Sequence, residues 1–159
     1  MNSRMLIGAV LIIAVVVAGV LFFVPREPAP GPVGEGGKVL QIVAAENFWG
    51  SLVSQLGGKH AHVLSIVSDP NADPHEYESN ATDARAVADA DYVIVNGARY
   101  DRWMDKLVSA GGNPGRKEFK VAELLGKKEG DNPHFWYDPA YVNKVIARMD
   151  QDLIARDPA

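Results

Sequence analysis

Short runs of β-branched and apolar residues, each separated from the next by a helical pattern, constrain this chain more than any other feature. Val39–Ala44 (VLQIVA), Val63–Val67 (VLSIV) and Asp91–Val95 (DYVIV) read as strands, and Lys120–Ala122 opens a short fourth. Between the first two, Phe48, Leu52, Val53 and Leu56 recur at helical spacing until Gly57-Gly58 stops them. Thr82 can cap a helix running through Ala90. Tyr100–Ser109 reads as a helix with Trp103, Leu107 and Val108 facing inward. Pro139 can start a last helix through Ile154, with Val142, Val145, Ile146, Met149 and Leu153 as its apolar face. This alternation predicts an α/β fold: a single lobe of about four parallel strands flanked by helices.

A different kind of segment precedes the lobe. Met5–Val24 is twenty residues without a charge. As a helix it would span roughly 30 Å, the hydrocarbon thickness of a bilayer. Arg4 and the amino terminus lie before it, while Arg26 beyond it is offset by Glu27. The excess of positive charge on the short side places that side in the cytoplasm and the rest outside. A cleaved secretory signal is the alternative, giving a secreted or periplasmic protein. Such signals have apolar cores of about 7–15 residues, and VPREPAP is a poor cleavage site, so the transmembrane helix is favoured. A buried helix of a soluble core is a third reading. The organisation expected is therefore residues 1–24 as membrane anchor or signal segment, 25–38 as linker, and 39–159 as the lobe. The linker, PREPAPGPVGEGG from Pro25 to Gly37, is too rich in Pro and Gly to fold and acts as a tether.

Composition excludes several chemistries. The chain has no cysteine, which removes disulfides, thiolate zinc sites, iron–sulfur clusters, a cysteine nucleophile and a lipid anchor on cysteine. A formal net charge of −4 argues against nucleic acid as a partner.

The four histidines are then the chemistry-bearing residues. His60 and His62 flank the entry to the second strand in GKHAHV. At i, i+2 on a strand they would point to the same face and could clip a metal, but solvated residues at a strand start are the simpler reading. His75 lies in DPNADPHEYE after the second strand, and His134 in DNPHFWYDP after the fourth. In a parallel sheet, ligands bind outside the carboxyl ends of the strands, so these two loops can converge. Each histidine follows a proline that stiffens its loop, and Asp69, Asp73, Glu76 and Glu78 supply a field that favours a cation. Neutral imidazole suits zinc, and with oxygen ligands also manganese or iron. Phe135 and Trp136 read as packing residues that hold the second loop. Asp138 reads as a helix cap, Glu46 and Asn47 as residues lining the cleft, and Tyr92 and Asn96 as servants of the strand and its turn.

DPHEYE, then TDARAVADADYVIVNG, then NPHFWYDP, in this order, resembles the metal-specific substrate-binding proteins of ABC importers, which take up zinc or manganese. The resemblance covers Val39 to Ala159. It implies two α/β lobes joined by a long helix with the metal between them. By position, His75 and His134 match the two histidine ligands of the first lobe, and the other two ligands would come from a second lobe. The sequence stops at Ala159, about where the linking helix should begin. Leu125–Asn132 carries no histidine-rich insert, and the apolar segment must replace the usual lipid anchor.

The function expected is extracytoplasmic capture of a divalent transition metal, zinc or alternatively manganese, for an ABC importer permease, with no bond made or broken. A metal-dependent hydrolase is one alternative, although no HExxH is present. A non-functional first lobe from a truncated reading frame is another.

Overall fold

The computed structural model describes residues 38–157; the expected membrane or signal segment and nearly all of the linker lie outside them. β1 (Leu40–Glu46) is buried at every position except Gln41, which fits a strand covered on both faces. It pairs in parallel with β2 (Ala61–Val67) on one side and with β3 (Tyr92–Val95) on the other. β4 (Lys117–Lys120) adds in parallel to β3, so the sheet order is β2-β1-β3-β4. The four parallel strands flanked by helices match the expected fold.

The two-residue period of β1 and β3 divides the core. Leu40, Ile42, Ala44, Tyr92 and Ile94 face one layer. There they meet Trp49 and Val53 of α1 (Asn47–Gly57), Val121 and Ala122 of α4 (Val121–Leu124), and Val145, Met149 and Leu153 of α5 (Pro139–Arg156). Val43, Ala45, Val93 and Val95 face the other. That layer holds Val87 of α2 (Ala81–Asp89) and Trp103 and Met104 of α3 (Arg102–Ala110). α1 lies close on the sheet: a Cβ on Gly50 would stand 2.0 Å from Ser65 Oγ and 3.3 Å from Ala44 Cβ, so a larger residue there would make the Ser65 hydroxyl turn aside.

Three expectations need correction. The fourth strand is Lys117–Lys120, and Val121 begins a short helix. Lys117–Lys120 is a half-polar edge strand that buries only Phe119, so hydropathy pointed past it to the more apolar Val121-Ala122. The cap of α2 is Asn80 rather than Thr82. Asn80 Oδ1 accepts from the Thr82 and Asp83 backbone N–H groups, and Asp83 reaches back to the Asn80 N–H. His60 lies in a 3-10 turn (Gly58–His60) rather than on the strand, so it does not share a strand face with His62. Asp138 caps α5 as expected, accepting from Ala140 N at 2.8 Å. Among the described residues no helix is long and apolar enough to cross a membrane.

Candidate functional site

The chain runs from β1 to its neighbour β2 and then returns past β1 to β3. The strand order therefore reverses between β1 and β3, and the carboxyl ends of these strands frame the crevice where open α/β sheets bind ligands. Glu46 ends β1 and Asn96 follows β3 there. The loop after β2 brings His75 to this edge, and the segment after β4 and α4 brings His134.

Both imidazoles stand on one ring. His75 meets Tyr100 edge-on with ring centroids 4.7 Å apart, and His134 meets the same Tyr100 at 5.8 Å. Both histidines are exposed, whereas Tyr100 is buried. Trp136 packs against His134 and Tyr100, each at 5.2 Å, and stacks on Phe48 at 4.0 Å. The expected packing role of Trp136 thus takes the form of an aromatic support beneath His134 and Tyr100, while Phe135 is buried in the core. Glu46 and Asn47 line a cleft of about 180 Å³ with Phe48, Asp69, Tyr100 and Trp136.

Each histidine loop is fixed through the carbonyl of the proline before it. Trp103 Nε1 donates to Pro74 O at 3.0 Å, and Asn96 Nδ2 donates to Pro133 O at 3.0 Å. Asn96 is fully buried and also accepts from Trp49 Nε1 at 3.0 Å. One side chain therefore ties α1, the end of β3 and the His134 loop together. Asp73 Oδ1 accepts from His75 N at 2.9 Å, and Asp69 Oδ1 from Asn71 N at 2.9 Å. These carboxylates shape their turns in addition to supplying negative charge.

The hydrogen bonds of His134 select a tautomer. Asn132 Oδ1 accepts from the His134 backbone N–H at 3.0 Å and lies 2.6 Å from His134 Nδ1. The atom that accepts from a backbone N–H is the amide oxygen, so Nδ1 carries the proton. The lone pair is left on Nε2, as in metal-bound imidazoles held by an outer partner.

The segment from Gly97 to Arg99 is left-handed throughout, with φ of 79°, 52° and 70°. Ala98 and Arg99 lack glycine's freedom, and such residues cost on the order of 1 kcal/mol or more each. The Asp101 carboxylate holds the turn: Oδ2 accepts from Asn96 N at 2.6 Å and Oδ1 from Gly97 N at 2.9 Å. Burial pushes this carboxyl up to about 6, against the opposing pull of the two backbone donors. Burial also lifts the Tyr100 hydroxyl to about 12, with Glu46, Asp73 and Asp101 adding to it.

His75 and His134 are thus brought to one ring, whereas His60 and His62 lie at the other end of the sheet. His60 Nδ1 is 3.0 Å from Asp157. Among the described residues no three His, Cys, Asp or Glu side chains form a group able to hold a metal ion. Sequence reasoning missed Tyr100, Asn96, Asp101, Trp103 and Asn132 as parts of the site. An aromatic residue three positions after the Asn-Gly that closes a buried strand is the signal that could have found Tyr100.

Comparison with known proteins finds similar chains. A manganese-binding lipoprotein, MntA, from Halalkalibacterium halodurans is 32% identical over 132 residues, covering 78% of this chain and 42% of the relative. The chain thus spans less than half the length of that relative. The solved Zn(II)-bound ZnuA-like domain of Streptococcus pneumoniae AdcA is 25% identical, with a TM-score of 0.61 over 77% of this chain and 46% of that one. A manganese-bound periplasmic metal-binding protein from Candidatus Liberibacter asiaticus is 22% identical and shares the fold, with a TM-score of 0.65 over 77% of this chain and 47% of that one. Residues 42–159 match the family described as zinc-uptake complex component A, periplasmic (ZnuA), and the chain belongs to that family.

Proposed function

We propose that this lobe captures a divalent transition metal outside the cytoplasm and hands it to an ABC importer permease. His75 and His134 each give one imidazole nitrogen, Nε2 in the case of His134. The observation that carries this reading is the convergence of two Pro-His loops on the single ring of Tyr100, at the strand-order reversal. A nitrogen pair suits zinc, and manganese is the alternative; relatives named for manganese and for zinc support either. Family membership favours carriage of the ion over a hydrolase. Further ligands would come from water or a second lobe. Residues 1–24 act as membrane anchor, 25–38 as tether, and 39–159 as the metal-binding lobe.

Equilibrium dialysis of the purified full chain in detergent against zinc, and separately manganese, tests the first part. One bound ion per chain, lost in His75→Ala and in His134→Ala, is expected; retention in both variants contradicts the assignment. Fractionation of expressing cells tests the second. The chain should pellet with membranes, and an exported soluble species beginning near Pro25 would identify a cleaved signal instead.

A further inference from the structure

Glu46 ends β1 beside the cleft, and the proposed capture of metal does not use it. The residue is 1% exposed, and neither carboxylate oxygen has a hydrogen-bond donor. A buried carboxylate in that state is among the most costly arrangements a fold can hold. A neutral carboxylic acid avoids the cost and becomes a donor itself.

Ala44 pairs with Ile94 in parallel, so Glu46 stands level with Asn96 at the ends of neighbouring strands, and the Asn96 N–H is held by Asp101. Burial first, and then the charge of Asp101 and a hydrogen bond to it, raise the Glu46 carboxyl well above the usual range. Two acids in one buried site share a proton. The two backbone N–H donors on Asp101 keep that side ionised, so the proton resides on Glu46. The other groups facing the pair are mostly acidic or phenolic. The Tyr100 hydroxyl lies near Glu46 and Asp73, Asp105 of α3 lies near Asp101, and Asp69 lines the same cleft. Lys120 of β4 is the nearby cation, and it is taken up by Asp105 at 2.8 Å and Glu118 at 3.2 Å.

We propose that Glu46 is a positioning residue for the two-histidine site: as a neutral acid it donates to the Asp101 carboxylate, and that bond holds the left-handed Gly97–Arg99 turn that presents Tyr100 to His75 and His134. The purpose assigned to it rests on the proposed function. Its proton and its effect on the rings can be read without any metal, so the two ideas fail separately.

The test uses the full chain in detergent at neutral pH, metal-free. Infrared spectra should show a protonated carboxylic acid band that Glu46→Gln removes. A wild type without that band, or a band that survives in Glu46→Gln, overturns the assignment of the proton. Nuclear magnetic resonance should find the Tyr100, His75 and His134 ring shifts kept in Glu46→Gln, whose amide still donates to Asp101. The same shifts should collapse towards solvent-exposed values in Glu46→Ala. Equal shifts in the two variants overturn the positioning role. If Glu46→Ala does not fold, raising the pH of folded wild type until Glu46 ionises should move the Tyr100 resonances, and the same titration of Glu46→Gln should not. Identical titrations overturn the proposal.

Discussion

The two ends of the sheet each carry a pair of histidines, and the chain treats them differently. At the amino end, His62 is exposed on the edge strand β2, and the His60 ring is within hydrogen-bond distance of Asp157 in a partly exposed contact. At the carboxyl end, His75 and His134 stand on one buried tyrosine, and each loop is pinned at the carbonyl of its proline by a side chain from the core. The carboxyl end also concentrates cost: three consecutive left-handed residues, a buried carboxylate pair and a buried asparagine. A fold carries such costs where geometry must be held against relaxation. The difference teaches that position relative to strand direction, rather than histidine count, decides which pair is brought together on one ring.

The comparison breaks first at Asn96. Asn96→Ala removes the side-chain bonds to Trp49 and Pro133 at once and leaves the buried Trp49 N–H without a partner. A loss of about 3–4 kcal/mol is expected, measured by urea unfolding, together with loss of order in the His134 loop. A loss below about 1 kcal/mol would mean that the carboxyl end is no more tightly built than the amino end.

A smaller effect comes from pH. The folded Asp101 carboxyl is raised from 3.8 to about 6, so between these values the folded state holds more protons than the unfolded. Its contribution to stability is therefore full below about pH 4 and declines as pH rises through about 6, by about 2–3 kcal/mol. Urea midpoints measured from pH 4 to 7, relative to Asp101→Asn, should show that decline in the wild type alone. The opposite slope would contradict the burial of the pair.

The smallest effect belongs to the amino end. His60→Ala with His62→Ala removes one partly exposed contact, between His60 and Asp157, and should cost about 1 kcal/mol or less. A thermal melt checks this, and a large loss would show that the amino end is built for more than solvation.

The architecture was legible because Ile42–Ala45 of β1 and all of β3 are apolar runs and the helices have clean apolar faces. Glycine and proline mark several of their ends. β4 was displaced because Phe119 alone reaches the core from Lys117–Lys120. Asn80 and Thr82 are both good caps, and only the reciprocal bond from Asp83 separates them. The Pro-His loops could be read from the sequence, but their supports could not. Trp103 reaches a carbonyl 29 positions away and Asn96 one 37 positions away. His60 and Asp157 are 97 positions apart. No local pattern encodes such pairings. Glu46 was the exception: an acid directly after a buried VAA run is a visible conflict, and it marks the edge of the site.

Calorimetric titration of zinc into the full chain tests the central claim most directly, with His75→Ala, His134→Ala and the His60→Ala/His62→Ala double variant alongside. Two protein ligands should give binding in roughly the micromolar range or weaker, near −8 kcal/mol. Each single variant at the carboxyl end should lose at least about tenfold, or roughly 1.4 kcal/mol, and the double variant should bind as the wild type does. Binding should weaken on acidification, because imidazole must release its proton to coordinate. Abolition of binding in the double variant, with His75→Ala unaffected, would move the site to the other end of the sheet and contradict the account.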